Sequence, residues 1–425
     1  MKRNKTMKKH MILAASLLTT VTISTAAEFE GYSLEESRAF HAQWNLDDWD
    51  DGGPLMRYVM LHMTEFWNHM TIDRGGPIRE LPLALRKDVA DFPATVDGKQ
   101  VALAEYVANS TVDGALVVHE GRVVFEAYPR MLSTDKHNYM SISKGLIATL
   151  IAILADRELI DDARPAEHYL PELRDSDWEG VPVRDILDMA SGIGCLETDP
   201  DSYYNPDHCY YQFEASLGWV RPTDRTPDST YEHVAALSAH RPSGEAFEYT
   251  SPDTFVLGWL IERITGRSVA ENLSKEIWQR MGAEADGLLI APKKAVPIVH
   301  GGISSTLRDV ARFGLLFTPS GRSGDAPVIS DAYLDKIQNG GRPEIFNAAR
   351  QEPEMINGEA PKHNSYQWDF VMQDGDFFKG GFGGQGLYIS PSRDLVIAFF
   401  GAFDENGVGH EMIDISRQLS VSGLF

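Results

Sequence analysis

Ser141-Ile142-Ser143-Lys144, leading directly into Gly145-Leu-Ile-Ala-Thr-Leu-Ile-Ala-Ile-Leu154, is the stretch on which the reading of this chain turns. The apolar run predicts a buried helix, and its first turn sets a hydroxyl and an amine three residues apart. Residues at that spacing share a helix face, so Lys144 reaches Ser141 Oγ and is placed to take its proton. The helix N-terminus adds unpaired N–H groups and the positive end of the dipole. Both favour the anion that forms when a serine attacks a carbonyl. A serine opening a helix also serves simply as an N-cap. These four residues leave both readings open.

Upstream, Lys2, Arg3, Lys5, Lys8 and Lys9 precede an apolar segment, Met11 to Ile23, and a small-residue exit, Ser24-Thr-Ala-Ala27. This is the pattern of a bacterial export signal, cleaved near Ala26-Ala27. The apolar segment is too short to span a bilayer, and no Cys stands directly after it as a lipoprotein attachment site. The mature chain is therefore expected to be periplasmic or secreted, without stable membrane insertion. The full sequence carries 39 Lys+Arg against 62 Asp+Glu, a formal net charge of -23, which argues against nucleic acid or an anionic membrane as a partner. At 425 residues it fits either one large core with an inserted subdomain or two domains. Cys195 and Cys209 are its only cysteines. In an oxidising compartment they would close one short loop, and two buried free thiols are the alternative. With no C-x-x-C and no H-E-x-x-H, neither a metal site nor a cofactor is expected, and His208 beside Cys209 is incidental.

Residues 28–95 read as an N-terminal arm packed on the main body, with a helix from Leu55 to Met70. Gly114 to Tyr128 reads as a β-hairpin turning at Glu120-Gly121. Residues 159–290 are helical and loop. Within them Cys195 to Asp228 is long, irregular and dense in Tyr203, Tyr204, Tyr210, Tyr211, Phe213 and Trp219, a composition suited to a pocket wall. Strand patterning returns after Pro292, most clearly in Gly386 to Phe400, which turns at Pro391-Ser-Arg-Asp394. A last helix runs from about His410 to Leu419. Strands, a helical middle and strands again predict a discontinuous α/β domain (about 96–158 and 291–425) with an all-helical insertion.

Two further segments suit Ser141. Gly244-Glu-Ala-Phe-Glu-Tyr249-Thr250-Ser251 sets a tyrosine and a hydroxyl in a loop before a helix at Thr254–Thr265. Lys379-Gly380-Gly381 opens the late strand pair, where a small backbone lets a substrate lie along a strand edge. Ser-x-x-Lys, Tyr-x-Ser and Lys-Gly-Gly thus fall in the order S-x-x-K, Y-x-N, K-T-G. The chain resembles the serine β-lactamase and penicillin-binding protein superfamily, and within it class C β-lactamases, family VIII carboxylesterases and 6-aminohexanoate-dimer hydrolases. Tyr169 to Leu173, Ile186 to Gly192, Leu257 to Gly266 and Gly301 to Phe313 resemble the family's non-catalytic landmarks, so the likeness covers roughly residues 96–425. It implies an antiparallel sheet flanked by helices with the helical subdomain inserted.

The resemblance also implies roles. Ser141 matches the acylated nucleophile, Lys144 its base and Tyr249 the proton relay. The oxyanion hole would be the backbone N–H groups of Ser141 and Phe382. Lys379 would attract a substrate carboxylate or hold Tyr249 polarised, with Ser251, Gly380, Gly381 and Tyr211 lining the substrate site. Two departures bear on specificity. Ser251 stands for the Asn of Y-x-N, and Gly380 for the hydroxyl residue of K-T-G that binds a β-lactam carboxylate. Both favour a simple ester, amide or short peptide-like substrate over a β-lactam. A β-lactamase or D,D-peptidase is the alternative, and an inactive member that only binds a cell-wall polymer is another. Gly381 to Gly386 matches G-x-G-x-x-G, but it precedes a strand rather than opening a helix and is not a dinucleotide site. His300 is read as a packed histidine.

Overall fold

The computed structural model describes residues 29–323, 327–350 and 355–425, so the leader expected at residues 1–27 lies outside the described residues. Leu395–Gly401 explains the centre of the fold. Every residue of this strand is buried, and its alternate side chains enter two different cores. Val396, Ala398 and Phe400 join one, while Leu395, Ile397 and Phe399 join the other. A strand buried on both faces reads as a continuous apolar run and must sit mid-sheet between two helical layers.

The sheet has seven strands: β1 Val112–His119, β2 Arg122–Ala127, β3 His363–Ser365, β4 Trp368–Val371, β5 Phe377–Gly381, β6 Gln385–Ser390 and β7 Leu395–Gly401. Their spatial order is β2-β1-β7-β6-β5-β4-β3, each pair antiparallel. The principal helices are α1 Ile142–Asp156, α2 Cys209–Leu217, α3 Ser251–Thr265, α4 Leu307–Leu315 and α5 Met412–Ser420. Helices α1 and α4 cover one face of the sheet and α5 covers the other. The fold is thus mixed α/β, an antiparallel sheet with helices against it, and the short elements around α2 and α3 fall between its early and late strands.

Both hairpins read from the sequence are present. Glu120 and Gly121 take φ of 49° and 70°, the paired left-handed residues of a tight two-residue turn between β1 and β2. Asp394, at φ 47°, closes the Pro391 turn between β6 and β7. The literal G-x-G-x-x-G run is the β5–β6 hairpin, with Gly383 and Gly384 at φ of 87° and 104°.

Four boundaries differ from expectation. The predicted helix Leu55–Met70 is instead Gly53–Leu61 and Met63–Phe66, followed by the strand His69–Ile72. That strand pairs antiparallel with Gly287–Ile290, a tertiary partner with no local signature. Helix α3 begins at Ser251, not Thr254, because Pro252 falls in the first turn, where no N–H is required. Ser251 is therefore a buried helical residue rather than part of a loop. Lys379-Gly380-Gly381 ends β5 rather than opening it, since Phe377 and Phe378 already pair with Ile389 and Tyr388. The stretch 195–228, expected to be irregular, contains α2.

The arm is fastened by aromatic packing. Trp49 and Trp67 meet Trp219 at ring-centroid distances of 5.6 and 5.3 Å, joining it to the segment just after α2. This contact brings Leu46, Asp47 and Asp50 to the wall of the cleft above Ser141.

Candidate active site

The N-cap reading of Ser141 fails on geometry. Ser141 occupies the cap position of α1 but has helical φ/ψ of -68° and -7°, and its side chain makes no capping bond. Its Oγ turns toward Lys144 instead, whose Nζ lies 2.9 Å away. The preceding Met140 has φ of 47°, a left-handed conformation that costs a non-glycine residue energy and occurs where neighbouring structure imposes it. Here Asn138 imposes it, its Oδ1 accepting the Met140 N–H at 2.8 Å. Behind Ser141 the helix is buried through Leu154, so the hydroxyl stands on an element with no freedom to shift.

Lys144 is 1% exposed and donates to the His300 carbonyl at 3.2 Å. Burial lowers its pKa to about 8 against the opposing pull of Glu197, whose Oε1 lies 3.8 Å from Nζ. Lys379 lowers it further, and Asp369 and Glu214 raise it. Tyr249 enters from the loop before α3. That loop is tied down by Thr250, whose hydroxyl donates to the Cys195 carbonyl at 2.7 Å. Lys379 Nζ donates to the Tyr249 oxygen at 2.8 Å, and Lys144 Nζ lies 4.9 Å from the Tyr249 ring centroid. Desolvation first, then the charges of Asp369 and Glu197, push the Tyr249 pKa well up, so its hydroxyl keeps its proton at neutral pH.

The three residues predicted from the motifs therefore converge. Among the substrate-binding set, the placements differ from one residue to the next. Lys379 is fully buried and forms an ion pair with Asp369 while it holds Tyr249. Of its two expected dispositions, it adopts the one directed at Tyr249. Gly380 N–H is taken by the other Asp369 oxygen at 2.7 Å. Gly381 lies against the chain leading to Ser141. A Cβ there would stand 2.3 Å from the Tyr139 carbonyl oxygen, so this position admits only glycine. Phe382, just beyond β5, is 45% exposed. Among the described residues neither its N–H nor that of Ser141 has a hydrogen-bond partner. Ser251 gives its hydroxyl to Glu197 at 2.7 Å, which removes it from the set free to hold substrate. Tyr211 lies on the cleft wall and donates to the Arg221 carbonyl at 2.9 Å.

These groups open into a cleft of about 690 Å³. Tyr203, Tyr204, Tyr210, Tyr211 and Trp219 line one side, as the aromatic density of that stretch suggests, and Phe247, Phe370 and Phe378 line another. Cys195 and Cys209 are joined in a disulfide that brackets the first part of the wall. His208 caps α2 by accepting the Tyr210 N–H, and no side-chain group suited to a metal ion is found among the described residues. His300 is buried as expected, its Nε2 3.0 Å from Glu214 Oε1.

Four acidic residues escaped the sequence reading: Glu197, Glu214, Asp50 and Asp369. Asp369 had a faint signal, an acid in one aromatic strand segment (Trp-Asp-Phe) and a base in the next (Phe-Lys-Gly). Glu197 had another, being two residues from a cysteine within the tyrosine-rich stretch.

A family description for Beta-lactamase matches residues 102–415. The chain belongs to the Beta-lactamase family. The match spans β1 through the first turn of α5 and includes Ser141, Lys144, Tyr249 and Lys379. A 6-aminohexanoate-dimer hydrolase of Paenarthrobacter ureafaciens is 28% identical over 382 residues, covering 88% of this chain and 94% of that protein. Among solved structures, a candidate 6-aminohexanoate-dimer hydrolase from Bacillus anthracis superposes with a TM-score of 0.75 at 24% identity, covering 88% of this chain and 96% of the other. A family VIII carboxylesterase gives 0.53 at 18% identity over 72% of this chain and 92% of its own. These superpositions establish a shared Beta-lactamase-family fold.

Proposed function

We propose that this chain, a serine hydrolase of the Beta-lactamase family, cleaves a linear amide or ester through an acyl-enzyme on Ser141. The observation that carries the reading is the meeting of Ser141 Oγ with Lys144 Nζ at 2.9 Å, the same amine lying 4.9 Å from the Tyr249 ring centroid, at the base of one open cleft. Neutral Lys144 takes the Ser141 proton as Oγ adds to the substrate carbonyl. The carbonyl oxygen, now negative, is received by the free N–H groups of Ser141 and Phe382 at the positive end of α1. Tyr249, protonated, passes a proton to the departing nitrogen or oxygen, and water later repeats the sequence in reverse to release the acid.

The cleft also favours a substrate with a positive end. Glu214 is 2% exposed, lines the cleft, and its Oε2 has no hydrogen-bond partner among the described residues. Asp50, brought in by the arm, has no ion pair among the described residues. Burial first, and then its acidic neighbours Asp51, Asp48 and Glu214, raise its pKa to about 6. A cation placed between them would relieve both carboxylates. A dimer of an amino acid, the substrate in the name of the Paenarthrobacter relative, offers this form: one linear amide and one free ammonium. A penam fits less well. Its carboxylate needs a cation and a hydroxyl beside β5, where Lys379 is engaged by Asp369 and residue 380 is glycine.

A side-by-side assay of a small linear amide with a terminal ammonium, a short-chain ester and a penam tests this, read by turnover and by intact mass for the acyl adduct. The amide and the ester are expected to turn over and the penam to be poor. Penam turnover above both would replace this reading with the β-lactamase one. No turnover and no adduct on any of the three would leave a polymer-binding member.

The pH profile gives a second expectation. Below pH 8 Lys144 is ammonium and has no lone pair to accept a proton. The kcat/KM of the wild-type enzyme therefore rises with pH, with its acid limb near pH 8. A profile flat from pH 6 to 9 would remove Lys144 as the base.

A further inference from the structure

Glu197 lies between Cys195 and Cys209, bonded to each other, and its carboxylate is surrounded by hydroxyl groups on every side but one. Its Oε1 accepts from Ser251 Oγ at 2.7 Å, and its Oε2 accepts from Tyr203 OH at 3.0 Å. Tyr210 OH stands 3.2 Å from Oε2 and 2.8 Å from Glu214 Oε1, its single proton shared between the two acids. On the remaining side is Lys144 Nζ at 3.8 Å. Neutral donors stabilise a carboxylate without cancelling its charge. Burial pushes the Glu197 pKa up, but Lys144, Ser251, His300 and Tyr203 together bring it below the usual carboxylate range, so the group is an anion.

We infer that Glu197 is a positioning residue that acts through Lys144, setting the pH at which this amine gives up its proton and stabilising the ammonium it becomes. The inference rests on the acyl-enzyme reading above. In the first step the Ser141 Oγ–H bond breaks, its proton bonds to Lys144 Nζ, and Oγ bonds to the substrate carbonyl carbon as the C=O π pair moves onto oxygen. The positive charge that appears on Nζ is then 3.8 Å from a negative charge fixed in the cleft wall by its hydroxyl partners. The same geometry explains the Ser of Tyr-x-Ser. Ser251 holds Glu197 rather than substrate, and Tyr203 and Tyr210 of the aromatic stretch hold its other oxygen.

The other charged groups facing Lys144 are accounted for. Lys379 from β5 opposes Glu197, while Asp369 from β4 and Glu214 from α2 assist it, and Glu197 precedes all three in its effect. Asp369 is ion-paired with Lys379, and Glu214 lies against His300. Of the acids that face Lys144, Glu197 acts on it most strongly, with Oε1 3.8 Å from Nζ.

The test is the acid limb of kcat/KM for Glu197→Gln and Glu197→Asp in the full mature chain, with folding checked by circular dichroism and the acyl adduct by intact mass. Removing an opposite charge at this distance is expected to lower the Lys144 pKa, so the limb in Glu197→Gln moves to lower pH by about one unit or more. Glu197→Asp keeps the charge but withdraws it by one carbon–carbon bond, and its limb falls between those of Gln and wild type. A purely structural defect would lower the plateau and leave the limb in place. A limb that stays put in both variants, or in the Asp variant alone if the Gln variant does not fold, overturns the inference. So does a plateau loss beyond about a hundredfold with an unmoved limb, since that would mark Glu197 as a proton carrier in its own right. Ser141→Ala separates the two levels: turnover surviving there refutes the hydrolase reading itself, whereas an inactive Ser141→Ala beside an unmoved Glu197 limb refutes only this inference.

Discussion

Ser141→Ala is expected to abolish turnover and acyl-adduct formation together while leaving the melting temperature within a few degrees of wild type. Loss of a nucleophile that works as one unit with its base amounts to about 10⁶-fold in kcat, or about 8 kcal/mol of transition-state stabilisation. Folding should be spared for a stated reason. Ser141 Oγ makes no capping bond and is half-exposed on the cleft floor, so deleting it orphans no backbone group of α1. Its loss does leave Lys144 with the His300 carbonyl as its remaining close acceptor, a small perturbation beside the buried surface of α1. Turnover retained in the variant, with or without a mass adduct elsewhere, would remove Ser141 from the mechanism.

The parts of this site that were legible in the sequence are Ser141 and Lys144, fixed by local periodicity, and Tyr249, Lys379 and Phe382, carried by the order of the family-like motifs. Ser141 and Lys144 face one another because three residues of helix bring any such pair together, and the apolar run to Leu154 announces the helix. The hairpins at Glu120-Gly121 and Pro391–Asp394 follow from turn residues between β-branched runs. By contrast Glu197, Glu214, Asp50 and Asp369 reach the site through tertiary packing alone. Asp50 depends on Trp49 and Trp67 meeting Trp219, and Glu197 on a disulfide whose pairing the sequence left open. No hydropathy period marks an isolated carboxylate in a loop. The misplaced start of α3 had a real consequence. Taken as a loop residue, Ser251 looked available to substrate; as the first buried residue of a helix, it faces Glu197.

Tyr249→Phe is the second large effect, and it bears on how protons move in the cleft. A positioned proton carrier typically contributes about 10²–10⁴-fold, about 3–5 kcal/mol, and the phenolic oxygen is the only atom the substitution deletes. Tyr249 receives a bond from Lys379, and the amino groups of Lys379 and Lys144 lie 4.6 and 4.9 Å from its ring centroid. Two cations so close would ordinarily favour a tyrosinate, which would make Tyr249 rather than Lys144 the base. Burial and the charges of Asp369 and Glu197 win against them, so the phenol stays protonated and Lys144, brought down to about 8, is the group that gives up its proton first. The two assignments differ in what survives in Tyr249→Phe. If Tyr249 serves as donor to the leaving group, the variant should lose far more rate on an amide, whose nitrogen must be protonated to depart, than on an aryl ester, whose phenolate leaves unaided. It should also keep the acid limb near pH 8. Equal losses on amide and aryl ester together with disappearance of that limb would make Tyr249 the base, and a fully active variant would exclude it from the chemistry.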